Sequence, residues 1–168
     1  TYTDVSATHL PGADVISVST TAVDVEGDGD IDLFIGTRDV GNELLINDGT
    51  GHFEPASDRA WLDAQTRMAN GSAWGDFDGD GDLDVFVMNY SSWEAAWLTE
   101  VGERVVPDPF SDYLWENQGD GTFTDASSVL PPEEISESFI FAGGWFDLNQ
   151  DGWLDLYVVN DYRRDYGW

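Results

Sequence analysis

The sequence predicts an all-β fold of β-propeller-type blades, each of four antiparallel strands. Three repeats form an incomplete propeller or part of a larger ring or assembly. Three observations carry this. An acidic nine-residue segment occurs three times, at 24–32, 76–84 and 147–155. Each copy lies between two short apolar stretches of strand length. A glycine-rich turn leading into an aromatic residue recurs between them, in "NDGTGHF" and "NQGDGTF".

The acidic segments set the register. "DVEGDGDID", "DFDGDGDLD" and "DLNQDGWLD" share the pattern D-x-[DNE]-x-D-G-x-x-D. Oxygen-bearing side chains occupy positions 1, 3, 5 and 9. Glycine holds position 6, where a calcium loop needs a sharp turn. The second copy places five aspartates within nine residues, with no lysine or arginine among them. Such crowding is costly unless a cation sits among the carboxylates. A merely solvated acidic run would not keep this register three times. An EF-hand opens the same way but demands glutamate at position 12 and flanking helices. Position 12 here is Ile35, Val87 and Val158, so the chelating set closes at position 9, with Asp32, Asp84 and Asp155. Position 7 holds Asp30, Asp82 and Trp153. It normally supplies a backbone carbonyl, which leaves the side chain free to vary.

The strands follow from the same register. "STTAV", "GSAWG" and "FAGGWF" precede the loops, and "IDLFIG", "LDVFVMN" and "LDLYVVN" follow them. In the second of these, Leu83, Val85 and Val87 face one way, and Phe86 and Met88 the other. Both faces are apolar, as in a strand sandwiched between neighbouring sheets. Glycine and asparagine in the "NDGTG" and "NQGDG" turns signal β-hairpins joining strands three and four. A meander alternates its turns between two ends, so acidic loops and glycine hairpins should share one face. The repeats divide into blade 1 at 7–57, blade 2 at 58–127 and an incomplete blade 3 at 128–168.

Loop starts Asp24, Asp76 and Asp147 lie 52 and 71 residues apart. The 19 extra residues of the second period form an insertion at about 90–112. Within it, Ser91 with Glu94 three residues on reads as a capping box for a short helix. Trp93 and Trp97 would share one side of that helix. They either pack the insertion onto the blades or, with Arg104 and Phe110, offer a ligand or partner surface.

The ends fit together. The last residues "DYGW", joined to the first, "TYTDVS", match "DYLWENQGDGTFTDAS" of repeat two, with only the turn "ENQGDG" missing. Residues 1–6 therefore read as the fourth strand of an adjoining blade, with Tyr2 in the place of Phe123. The exposed edge of blade 3 must be paired, by remaining blades of a longer chain or by further copies of this one. No leader and no initiator methionine are visible, which reads as a mature or truncated chain.

Composition narrows the function. The 168 residues are enough for one domain, and 41% apolar with 14% aromatic content argues against disorder. The net charge of −28 comes from 34 acids against six arginines, with no lysine. Nucleic acid and anionic membranes are excluded as partners, because phosphate binding needs a basic patch. Divalent cations are the natural counterions. There is no cysteine, and apolar runs are too short for a membrane helix.

The loop, its following strand and the "N-x-G-x-G-x-F" hairpin together resemble the FG-GAP/VCBS repeat family over essentially the whole chain. That family includes the calcium-bearing propeller of integrin α-subunits and many bacterial extracellular proteins. The resemblance implies three calcium sites, at Asp24, Glu26, Asp28 and Asp32; at Asp76, Asp78, Asp80 and Asp84; and at Asp147, Asn149, Asp151 and Asp155. Glu26 departs from the usual Asp or Asn. The strands end "IGT", "MNY" and "VND" rather than in integrin-type elements, which places the chain nearer the bacterial VCBS type.

Nothing in the sequence points to catalysis. His9 and His52 fall in no nucleophile motif, and the acidic clusters are better explained as metal loops. The expected role is an extracellular, calcium-binding scaffold or adhesion module, secreted or on a cell surface. It would recognise a protein or glycan ligand, or assemble through its terminal strands. A lectin using the aromatic insertion is the alternative, and a propeller enzyme is third. Two N-x-S sequons, at Asn70 and Asn89, allow glycosylation without indicating it.

Overall fold

A computed structural model describes residues 2–11, 15–38, 40–56, 62, 68–90, 112–131, 140–160 and 166–167. Nearly all regular structure is strand, because β-branched and aromatic residues alternate in short runs bounded by Asp-Gly and Asn-Gly turns. The first sheet runs β1 (Ser17–Val23), β2 (Asp32–Thr37), β3 (Glu43–Asn47) and β4 (Phe53–Pro55), each antiparallel to the next. The second repeats this with β5 (Met68–Gly75), β6 (Asp84–Tyr90), β7 (Tyr113–Asn117) and β8 (Phe123–Asp125). The third holds β9 (Ile140–Phe146), β10 (Asp155–Asn160) and β11 (Tyr166–Gly167), in spatial order β11-β10-β9. Among the described residues the four-stranded meander is thus present twice in full and once with three strands.

The sheets associate through their first strands, since β5 packs against both β1 and β9. Polar contacts hold β1 to β5. The Thr21 and Ser72 hydroxyls lie 2.8 Å apart, and Ser19 Oγ donates to the Ala69 carbonyl at 2.8 Å. Each first strand slips register at the same point, around Val18, Asn70 and Phe141. Such a bulge adds local twist, which lets successive sheets fan out rather than stack flat.

Two apolar cores fill the spaces between successive sheets, and β6 contributes to both. Val85 and Val87 join Val23, Phe34 and Leu44 on one side; Phe86 and Met88 join Ile140, Leu156 and Val158 on the other. This is the two-sided burial that the sequence of β6 predicts. Aromatic residues lock each joint. Trp74 meets Phe34 edge-on at 5.9 Å, and Trp145 stacks on Phe77 at 6.2 Å while its Nε1 donates to the Ala73 carbonyl.

The amino-terminal segment has no adjoining blade to pair with among the described residues. Residues 2–5 form no strand in the single chain, Tyr2 is fully exposed, and Ser6 opens a helical turn, α1 (Ser6–His9). The cause is local. Asp4 Oδ1 accepts from the Ser6 backbone N–H at 3.0 Å, as Asp125 Oδ1 does from Ser127 N–H at 2.8 Å just past β8. The turn that follows a fourth strand has formed, while among the described residues no third strand lies beside residues 2–5. The expected insertion helix, with Trp93, Trp97, Arg104 and Phe110, lies outside the described residues. No helix among the described residues is long and apolar enough to cross a membrane.

Because Phe86 is fully buried where two sheets meet, Phe86→Ala should cost about 3–5 kcal/mol, against at most about 0.5 for Val129→Ala on the surface. Urea unfolding of the two variants measures this difference, and equal losses would contradict the placement of the core.

Candidate metal centre

Each acidic loop joins the first and second strands of its sheet, and its turn is built by its own carboxylates. In loop two, Asp76 accepts from the N–H groups of Gly79 at 2.7 Å and Gly81 at 3.1 Å. Asp78 and Asp80 each accept from the N–H two residues on. Loop one repeats this with Asp24 bound by the N–H groups of Asp28 and Gly29, and loop three with Asp147 bound by those of Asp151 and Gly152. Position 1 therefore gathers the turn whichever residues vary around it. The position-6 glycines Gly29, Gly81 and Gly152 adopt φ between 94° and 104°, which a side chain would resist.

Position 9 has a second task. Asp84 Oδ2 accepts from Phe77 N–H at 3.0 Å and Oδ1 from Asn117 N–H at 2.8 Å, so one carboxylate ties the loop to the end of β7. Asp32 does the same with Val25 and Asn47. Asp155 accepts from Leu148 N–H at 2.8 Å and is only half-buried, whereas Asp32 and Asp84 are buried. The hairpins lie against the loops, on the same face as expected. A methyl at Gly49 would fall 2.5 Å from Asp30 Oδ2, and one at Gly119 2.6 Å from Asp82 Oδ2. The side chains at position 7 are thus less free than the sequence suggests. Asp30 and Asp82 fill space under a hairpin glycine, and Trp153 covers Gly79 of the preceding loop.

Asp76, Asp78 and Asp84 each bring a carboxylate oxygen within 4.8 Å of the others, the one such group among the described residues. Burial pushes the Asp84 carboxyl up to about 6, with Asp78 and Asp80 adding to the rise, although two backbone N–H groups oppose it. Asp78 is also raised, by its own desolvation first and then by neighbouring carboxylates. An all-oxygen donor set, crowded and short of positive charge, fits a hard divalent cation. Such an ion would be held by Asp76, Asp78 and Asp84, with Asp80 at position 5 of the same turn. It would supply the neutralising charge that the loop lacks.

Asn89 is fully buried in β6, with its backbone N–H bonded to Asp112, so it cannot accept a glycan; Asn70 is half-buried in the bulge of β5. His9 and His52 approach with ring centroids 6.4 Å apart beside the blade 1 hairpin.

The family model for FG-GAP-like repeats matches residues 24–87 and 105–158, which takes in all three acidic loops and the strands after them. The chain belongs to the FG-GAP-like repeat family. No curated protein matches it significantly. The repeat's acidic loop is therefore the recurrent unit here, and its most strained position is one that sequence reasoning overlooked. Position 4 is Gly27 and Gly79 in loops one and two, at positive φ, but Gln150 in loop three, at φ 61°.

Two outcomes follow from this geometry. Gln150→Gly should raise stability by roughly 0.5–1 kcal/mol by relieving a left-handed side-chain residue, an increment readable by thermal melting. The elevated Asp84 carboxyl sets a pH dependence. With the folded value about 6 and the unfolded value about 3.9, its contribution to metal-free stability is full below pH 4 and lost as pH rises through 6. Chemical denaturation in chelator across this window should show Asp84→Asn removing that component, and an unchanged slope would contradict it.

Proposed function

We propose that this FG-GAP-like chain is a calcium-stabilised extracellular scaffold or adhesion module, without catalytic chemistry of its own. The carrying observation is the Asp76–Asp78–Asp84 cluster, whose oxygens converge with no cationic side chain in the loop and whose innermost carboxyl is raised. Loops one and three repeat its turn, and members of the family often bind calcium and act outside the cell. Calcium at the loops fixes turns whose carboxylates otherwise repel, and it offsets part of a −28 net charge that opposes compaction. The blade faces then form a rigid platform, with connections available for a protein or glycan ligand.

Extracellular calcium modules bind with dissociation constants of about 0.1–1 mM. At about 1 mM free calcium this gives roughly 0.4–1.4 kcal/mol per site, or about 1–4 kcal/mol for three sites. Excess chelator should then lower the melting temperature by roughly 2–16 °C, with magnesium a poor substitute. A melt unchanged by chelation refutes the proposal.

A further inference from the structure

Blade 1 departs from blade 2 at one patch of its hairpin, and three residues depart together. Matching "NDGTGHFE" with "NQGDGTFT" sets Asp48 against Gln118, His52 against Thr122 and Glu54 against Thr124. In blade 2 the first and last of these positions touch, since Gln118 Nε2 donates to Thr124 Oγ1 at 3.2 Å. In blade 1 both are carboxylates, Asp48 and Glu54. A neutral hydrogen bond has given way to like charges, which repel unless something positive lies between them. His52 lies two residues before Glu54, and side chains two apart along a strand share one face. Asp48, His52 and Glu54 accordingly line one cavity of about 350 Å³, together with Ile46, Asn47 and Pro55.

The second of the chain's two histidines comes to the same place. His9 ends α1, and its ring centre lies 6.4 Å from that of His52, with the planes inclined at 50°. The turn sets its orientation. Thr8 Oγ1 donates to the Val5 carbonyl at 3.0 Å and lies 2.7 Å from His9 Nδ1. The hydroxyl has a single hydrogen, already directed at Val5, so Nδ1–H donates to Oγ1 and Nε2 keeps its lone pair. An imidazole whose far nitrogen is tied to an oxygen in this way is prepared as a metal ligand. Asp48 is divided similarly. Its Oδ1 accepts from the Thr50 N–H and hydroxyl, which leaves Oδ2 for a ligand.

We propose that His9, His52, Asp48 and Glu54 bind a zinc ion, which clamps the turn of α1 to the hairpin of blade 1. Two imidazoles and two carboxylates suit tetrahedral zinc and are a poor set for calcium. The ion's two charges match those of the two acids. The site goes beyond the calcium reading, since none of the four residues belongs to an acidic loop. Two imidazoles on one zinc place their ring centres roughly 5 Å apart, so the rings close by about 1 Å on binding. His52, Asp48 and Glu54 are all exposed and accommodate this by rotation.

The test is zinc titration of the 168-residue chain in excess calcium, followed by calorimetry and by the histidine ring signals in nuclear magnetic resonance. Excess calcium competes for all-oxygen loops but hardly for imidazole. The wild type should take up zinc with the ring signals of both histidines shifting together. His9→Gln and His52→Gln should each weaken this uptake by at least about tenfold, and Thr8→Val by about tenfold through loss of the oxygen that orients His9. Val129 already stands at the corresponding position of the turn after β8, so Thr8→Val keeps the turn. Asp48→Gln, His52→Thr and Glu54→Thr combined reproduce the blade 2 pattern and should abolish uptake without lowering the melting temperature in calcium. A wild type that binds no zinc overturns the site. So does uptake that survives loss of either histidine, or that leaves the ring signals of His9 unmoved.

Discussion

The structure depends on the carboxylate that ends each acidic loop, buried in the first two. Asp84 has no exposed surface, yet its oxygens are claimed by two backbone N–H groups, one from its own loop and one from β7. Such bonds recover only part of what desolvating a charge costs, which is why the Asp84 carboxyl stays near 6 despite them. Through these two bonds Asp84 joins the first hairpin of the sheet to the second. A metal ion is the remaining means of making its charged form cheap. Loop geometry and the proposed cation binding are one constraint expressed twice.

That constraint extends across the sheets through Asn117. Its backbone N–H binds Asp84, its Oδ1 accepts from Gly119 N–H in the hairpin, and its Nδ2 reaches the Leu83 and Val25 carbonyls. The last of these lies in the acidic loop of the neighbouring sheet. Disturbing the second loop should therefore disturb both its hairpin and the joint to blade 1. The aromatic residues act in the same joints by bulk: Trp74 and Trp145 each reach out of a first strand into the preceding sheet. Polar register at the loop end and apolar packing along the strands specify the same neighbour distance.

Much of this was legible because the repeat constrains several positions at once. Alternation along "LDVFVMN" gave the two buried faces of β6, and position 12 removed the helical calcium loops. Other features escaped because pattern matching treats variable positions as free. Position 7 was read as unconstrained, but its side chain packs under a glycine that belongs to another turn. Gln150 was passed over because positive φ is a property of the backbone, visible only by comparison with Gly27 and Gly79. Asn117 was read as a turn former, and nothing local to "NQGDG" shows that its amide reaches a residue 92 positions away. Residues 2–5 form no strand in the single chain because a strand needs a partner, and similarity to β8 supplies none.

The third repeat differs in the bonds its described residues make. Asp155 has the bond from Leu148 N–H that its counterparts have from Phe77 and Val25, but no described bond corresponds to those from Asn117 and Asn47. It is also the most exposed of the three position-9 carboxylates. Being better solvated, it suffers less from desolvation, but it has less to organise it for an ion. Its loop carries one fewer charge at position 3, where Asn149 replaces an acid, and a bulky Trp153 at position 7 that turns toward the second loop. Loop three thus packs against its neighbour through Trp153. Among the described residues it is the middle repeat, with a sheet on either side, whose carboxylates converge for a cation.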